Sequence, residues 1–320
     1  MITEVKTIGG YIELQLPQGN EHYPALIKLN TGRNALEYLL RIKKYTLVHL
    51  PYFTCEVLLE PLCRLNIPYR FYHIDSMLNP ILDFEPGPTE CLVYTNYFGL
   101  MQETVKKLSG QIENLIIDNA QAFFSPPLED IDTFYSCRKF FGVPDGAYLH
   151  TNSNTRLSLD HDISIGRFSH LIKSIDLNIE SAYPDYIRNN VCLVDNSVKK
   201  MSLLTQKILS GIDYEDCEKI RNANFKHLHE ALSGKNELTI DVTDLKAPMV
   251  YPLLINKPEL KQKLIERKIF VATYWPNVLD WTTEDMLEHY LCKNIIPLPI
   301  DHRYHISDMD YIIDILKQLL

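Results

Sequence analysis

The sequence predicts an α/β protein: a mostly parallel sheet in a large domain, followed by a smaller C-terminal α+β unit. Three observations predict it. Short apolar runs of strand length alternate with runs of helical spacing between residues 46 and 150. A polar stretch over 152–200 interrupts that alternation. A second, shorter alternation begins near residue 249. Strands separated by helical patterns imply parallel pairing with both faces of the sheet covered, and ligands gather at the carboxyl ends of such strands.

The elements follow in order. Residues 1–24 are mixed and turn-prone and read as an N-terminal arm. Residues 46–50, 68–72, 91–95, 114–117, 133–135 and 147–150 read as strands, with helices over 56–65 and 102–108. The stretch 152–200 reads as connection and active-site loops that reach a partner subunit. Helical spacing returns at 201–209 and 214–232. Then come a strand at 249–255, a helix at 258–268, a strand at 269–273, a helix at 285–292, and a last helix from near Ser307. The organisation expected is an arm over 1–24, a large domain over 25–210 and a small domain over 211–320.

Composition narrows the function. With 46% hydrophobic and 23% charged residues, the balance is that of a soluble globular protein. A formal net charge of −9 disfavours a nucleic-acid binder, which needs a basic face. Seven cysteines, odd in number and without a CxxC pair, give no zinc site and no disulfide framework. They read as reduced, mostly buried thiols. The start lacks the basic and apolar regions of a secretory signal, and no apolar run approaches membrane-spanning length. A cytoplasmic protein is the expectation.

Four segments carry chemistry. In Leu29–Leu40, Thr31-Gly32-Arg33 precedes apolar residues at helical spacing. A hydroxyl, a glycine and free amides at a helix start can hold a phosphate monoester; Thr31 also reads as an ordinary N-cap. In the segment 114–122, Asp118 ends an apolar strand. A carboxylate there wants a cationic partner, and a pyridinium nitrogen is one; a helix cap is the plainer role. Gln121, three residues on, returns to the same face and can reach the ring's phenolic oxygen if the chain turns helically there. In the segment 132–150, Lys139 follows an aromatic strand and precedes a tight Val-Pro-Asp-Gly turn. It therefore stands at the sheet's ligand edge, where an amine can attack an aldehyde. In the segment 47–58, aromatic residues follow a strand end, where a flat ring could stack.

In this order the four segments resemble the DegT/StrS sugar aminotransferases, within the fold-type I enzymes that use pyridoxal 5'-phosphate (PLP). The matching residues are Thr31-Gly32-Arg33-Asn34-Ala35-Leu36, Leu50-Pro51 with Thr54, Asp118 with Gln121, Ser136 with Lys139, and Asp145-Gly146. Further on come Met201-Ser202, Arg221 with Asn224-Phe225, Tyr274-Trp275-Pro276, and Leu298-Pro299-Ile300-Asp301. The resemblance spans about residues 25–320.

It implies a seven-stranded-type sheet, PLP covalently bound to Lys139, and Asp118 at the ring nitrogen. Thr31, Gly32, Arg33, Gln121 and Ser136 would complete the cofactor site. The family's usual aromatic residue is replaced by Cys55, which leaves Phe53, Tyr97 or Cys55 beside the ring. The asparagine that members lend to a partner's phosphate is absent from its usual place; Asn196 lies nearby. The implied reaction is transamination of a nucleotide-linked keto-sugar, with glutamate or glutamine as donor, in a homodimer. Tyr183, Arg188, Trp275 and Arg303 are candidates for the sugar pocket. The alternatives are a PLP-dependent sugar dehydratase, against which Lys139 speaks because those enzymes carry histidine there, and a PLP-fold binding protein without turnover.

Overall fold

The computed structural model describes residues 8–320; the first seven residues of the expected arm lie outside it. The chain enters β1 (Ile27–Leu29), α1 (Gly32–Lys43), β2 (Leu47–Pro51), α2 (Leu59–Leu65), β3 (Tyr69–Ile74), β4 (Pro80–Ile81), β5 (Glu90–Thr95) and α3 (Gln102–Ser109). It continues through β6 (Leu115–Asp118), β7 (Asp132–Ser136) and β8 (Ala147–His150). These strands form one eight-stranded sheet in the order β1-β8-β7-β6-β5-β2-β3-β4. Strands β3, β2, β5, β6 and β7 pair in parallel, and β8, β1 and β4 join antiparallel. The expected seven strands are joined by an eighth, the two-residue β4 on the edge beside β3.

Alternation along the strands divides the core. Val48, Leu50, Cys91, Val93, Ile116, Phe134, Ala147 and Leu149 pack with α1 and α2 on one face. Their neighbours Leu92, Tyr94, Leu115, Ile117, Tyr135 and Tyr148 point into a second cluster on the opposite face. Burial on both faces is what makes the central strands continuously apolar.

The stretch expected to be irregular holds two helices, α4 (Ser169–Asp176) and α5 (Ile179–Cys192). Its polar residues misled because they face the protein: α5 buries Ala182, Asp185 and Asn189 while Ile179, Tyr183, Ile187 and Val191 are exposed. Next come α6 (Leu203–Ser210) and α7 (Tyr214–Leu232), then β9 (Val250–Leu254), α8 (Leu260–Glu266), α9 (Asn277–Trp281), α10 (Leu287–Asn294), β10 (Ile295–Pro299) and α11 (Ile306–Leu319). Strands β9 and β10 form a separate antiparallel pair, packed with α7, α8 and α11 around Phe225, Tyr251 and Met309.

Residues 269–273, expected to be a strand, form none. The Ile269 amide instead closes α8 by donating to Leu264 O at 2.9 Å, and the segment packs as irregular chain. Beta-branched residues favour a strand only where a neighbour offers a ladder.

Candidate active site

Parallel pairing brings the carboxyl ends of β2, β5, β6 and β7 to one edge. Strand β3 lies on one side of β2 and β5 on the other, so the chain reverses direction across the sheet there. Such a reversal opens a crevice at that edge.

Asp118 is the last residue of β6 and is buried. Its Oδ1 accepts from the Ala120 amide at 2.8 Å. Burial pushes the carboxyl above its ordinary range, with the Lys139 ammonium and the Ala120 amide pulling the other way. The site is thus short of positive charge at Asp118, and a pyridinium nitrogen would supply it.

Lys139 closes a 3-10 turn, Cys137–Lys139, that directly follows β7. Its side chain is exposed, and Nζ stands 6.0 Å from the centroid of the Trp275 ring. The following turn is anchored from behind. Arg221 on α7 lies 4.7 Å from the Phe140 ring centroid and donates to the carbonyls of Pro248, Met249 and Phe140.

Gln121 is fully buried within a tight turn rather than a helix. Its Oε1 accepts from the Phe98 amide at 2.8 Å, while Nε2 is buried with no partner. An orphaned buried donor is costly, and one beyond Asp118 suits a phenolic oxygen on a ring held by that carboxylate.

Thr31 caps α1, its Oγ1 accepting from the Asn34 amide at 3.2 Å. A Cβ placed on Gly32 would lie 3.9 Å from Ser136 Cβ. The serine therefore abuts the helix start. Arg33 pairs with Glu60, so it braces α1 against α2.

On the ring-side loop, Phe53 is fully buried edge-on to Trp275 at 5.2 Å, and its carbonyl accepts from Tyr97 Oη at 3.0 Å. Tyr97 is equally buried. Cys55 is only half-buried; burial raises its thiol, and Lys139, Asp118 and Arg33 are the charges it senses. Of the three residues, Cys55 is the one bordering the crevice.

Asp145 is fully buried. It accepts from Ser202 N at 2.9 Å, Ser202 Oγ at 2.7 Å and Thr205 Oγ1, tying the Met201-Ser202 segment to the loop after Lys139. Asn196 meets the site through its backbone, its carbonyl accepting from Asn34 Nδ2 at 3.1 Å.

Of the pocket candidates, only Trp275 stands beside Lys139. Arg303 is forked onto Asp301 at 2.7 and 2.9 Å, and Arg188 pairs with Asp185 at 2.6 Å. Tyr183 is exposed on α5. Sequence reasoning passed over Arg138, whose Nη2 reaches Asn190 Oδ1 on α5 at 2.5 Å. Its position directly before Lys139 was the available signal.

No protein-family model matches the chain. No curated protein matches it either. Solved structures do. A DegT DnrJ EryC1 StrS aminotransferase from Brucella abortus superposes with a TM-score of 0.63 at 17% identity, over 92% of this chain and 85% of that one. A Streptococcus pneumoniae protein in its PLP form gives 0.62 at 13%, over 92% and 87%. The GDP-4-keto-6-deoxymannose-3-dehydratase ColD, with bound GDP-perosamine, gives 0.60 at 12%, over 90% and 87%. The chain has the fold of these proteins, the PLP fold-type I architecture.

Proposed function

We propose that this protein is a PLP-dependent aminotransferase that transfers an amino group from glutamate or glutamine to a nucleotide-linked keto-sugar. The observation that carries the reading is one constellation at the carboxyl edge of the sheet. A buried carboxylate short of counter-charge and an exposed lysine sense each other there, with an orphaned amide donor three residues beyond the carboxylate and a capped helix start beside Ser136.

The residues fit PLP by role. Thr31, the Gly32 and Arg33 amides and Ser136 would hold the phosphate. Asp118 would hold the ring nitrogen protonated, Gln121 Nε2 would donate to the phenolic oxygen, and Cys55 would border the ring. Lys139 would carry the covalent link. When bound, PLP supplies an electron sink for a carbanion next to nitrogen. Lys139 Nζ would be the group that holds and moves the proton of the donor's α-carbon, as base and then acid. The Trp275 ring would stand beside that nitrogen. The fold is shared with the dehydratase ColD as well, and Lys139 stands against that reading.

The large unit would be residues 25–210, the small one 211–320, and the working form a homodimer in the cytoplasm. The dimer rests on α4 and α5. Ile172, Ile175, Ile179, Tyr183, Ile187 and Val191 form an exposed apolar stripe, and the same α5 reaches Arg138 beside Lys139. A second copy is the occupant that would cover the stripe and close the site together.

The test loads the protein with the aminated cofactor and offers acceptors. Fast return to the aldehyde form with nucleotide-linked keto-hexoses, and slow return with pyruvate or oxaloacetate, is expected. The reverse ranking would remove the sugar from the proposal. No spectral change with any amino donor would remove the aminotransferase.

A further inference from the structure

Arg138 is set apart from the other arginines around the site. Arg33 pairs with Glu60, Arg167 with Asp162 at 2.9 Å, and Arg188 with Asp185 at 2.6 Å. Among the described residues, no carboxylate lies within ion-pairing distance of Arg138. Its one recorded hydrogen bond is neutral, from Nη2 to Asn190 Oδ1 at 2.5 Å, and its Nε is buried with no partner. Burial lowers the guanidinium's affinity for its proton. Of the groups facing it, Tyr186 and Asp145 oppose that shift, and Arg33 and Arg167 add to it. The cation of His170, when protonated, would face it too. Asp145 cannot serve as its counter-ion, because Ser202 and Thr205 already occupy that carboxylate. A half-buried arginine in cationic company, with an unmade hydrogen bond, is a costly arrangement without an anion.

The position says which anion. Arg138 lies in the 3-10 turn between Ser136 and Lys139. Ser136 abuts Gly32 at the start of α1, the helix capped by Thr31, and Arg33 of that helix start is one of the charges facing Arg138. Asn190 takes one hydrogen of Nη2, and the buried Nε–H is left to make a further bond. An arginine fork matches a phosphate's oxygens better than a lysine's point charge does. Arg138 offers a donor from within the same chain.

We propose that Arg138 is a ligand of the cofactor phosphate, completing with Thr31, the Gly32 amide and Ser136 an anion cradle built within one subunit. The inference rests on the PLP reading above.

The experiment measures equilibrium binding of PLP, of pyridoxal (which lacks the phosphate) and of inorganic phosphate to the full-length protein and to Arg138→Gln and Arg138→Lys. Arg138→Gln should weaken PLP by roughly 10- to 100-fold, the range for a lost charge-assisted hydrogen bond. Pyridoxal affinity should stay within about twofold, and competition by inorganic phosphate should disappear. Arg138→Lys should fall between, since it keeps the charge and loses the fork. Unchanged PLP affinity in Arg138→Gln overturns the assignment while leaving the PLP reading intact. Equal losses for PLP and pyridoxal also overturn it, because they show a structural role. A wild-type protein that takes up no PLP overturns the functional reading and this one with it.

Discussion

Lys139 and Asp118 are separable by experiment because the proposed reaction gives them different work. Lys139→Ala should lower turnover by about 10²- to 10⁴-fold, the range for a positioned acid–base group. It should also abolish borohydride fixation of PLP to the peptide containing residue 139; fixation at another lysine would end the assignment. Asp118→Asn should cost roughly 10²- to 10³-fold in turnover, as for loss of one preorganised electrostatic partner. Its effect on the apoprotein runs the other way. The folded-state carboxyl is raised by burial. Its contribution therefore favours folding at pH below the unfolded value and is lost as pH rises through the window up to the folded value. At neutral pH the apo Asp118→Asn protein should be as stable as wild type or more so, and urea titration reads this directly. A clear loss of apo stability would mean that the ionised carboxylate is structurally paired, contrary to its role here.

The elements show what the sequence could and could not disclose. The positions of Asp118 and Lys139 at the sheet edge were legible because the first ends an apolar run and the second closely follows an aromatic strand. The two helices of 169–192 were not, since α5 turns its polar residues Asp185 and Asn189 inward and its apolar ones outward. Pattern reading assumes that apolar means inside. The strands β1 and β4, three and two residues long, fall below any periodicity. Gly146 could be read only as part of a turn; its φ of +118° and a Cβ position 3.0 Å from Thr205 Cγ2 and 3.3 Å from Cys137 Cβ show why glycine stands there. Gly146→Ala should cost about 1–3 kcal/mol in urea unfolding. Asp145→Ala should cost a similar amount by stranding the Ser202 amide and two hydroxyls, and Asp145→Asn should recover part of it. If both alanine variants unfold like wild type, this junction does not hold α6 against the loop after Lys139.

At the scale of the whole molecule, α5 would couple the proposed assembly to the proposed site. Its outward stripe, with Tyr183 58% and Val191 64% exposed, joins Ile175 of α4 at 83%. Its inward side carries Asn190, the partner of Arg138. Contiguous apolar surface of this kind marks an interface, and an isologous contact needs only this one face repeated. The wild-type protein should therefore sediment as a dimer. The double variant Ile175→Glu with Val191→Glu places a carboxylate at two points of the stripe on each subunit. A buried, unpaired charge costs about 3 kcal/mol or more, so the pair should raise the dimer dissociation constant by roughly 10⁴-fold or more. Neither substituted side chain touches the crevice, so a loss of PLP affinity in the resulting monomer would be transmitted through α5 and its hold on Arg138. A monomer that binds PLP as tightly as the dimer would uncouple assembly from the site. A wild-type protein that sediments as a monomer would leave the stripe without its proposed occupant.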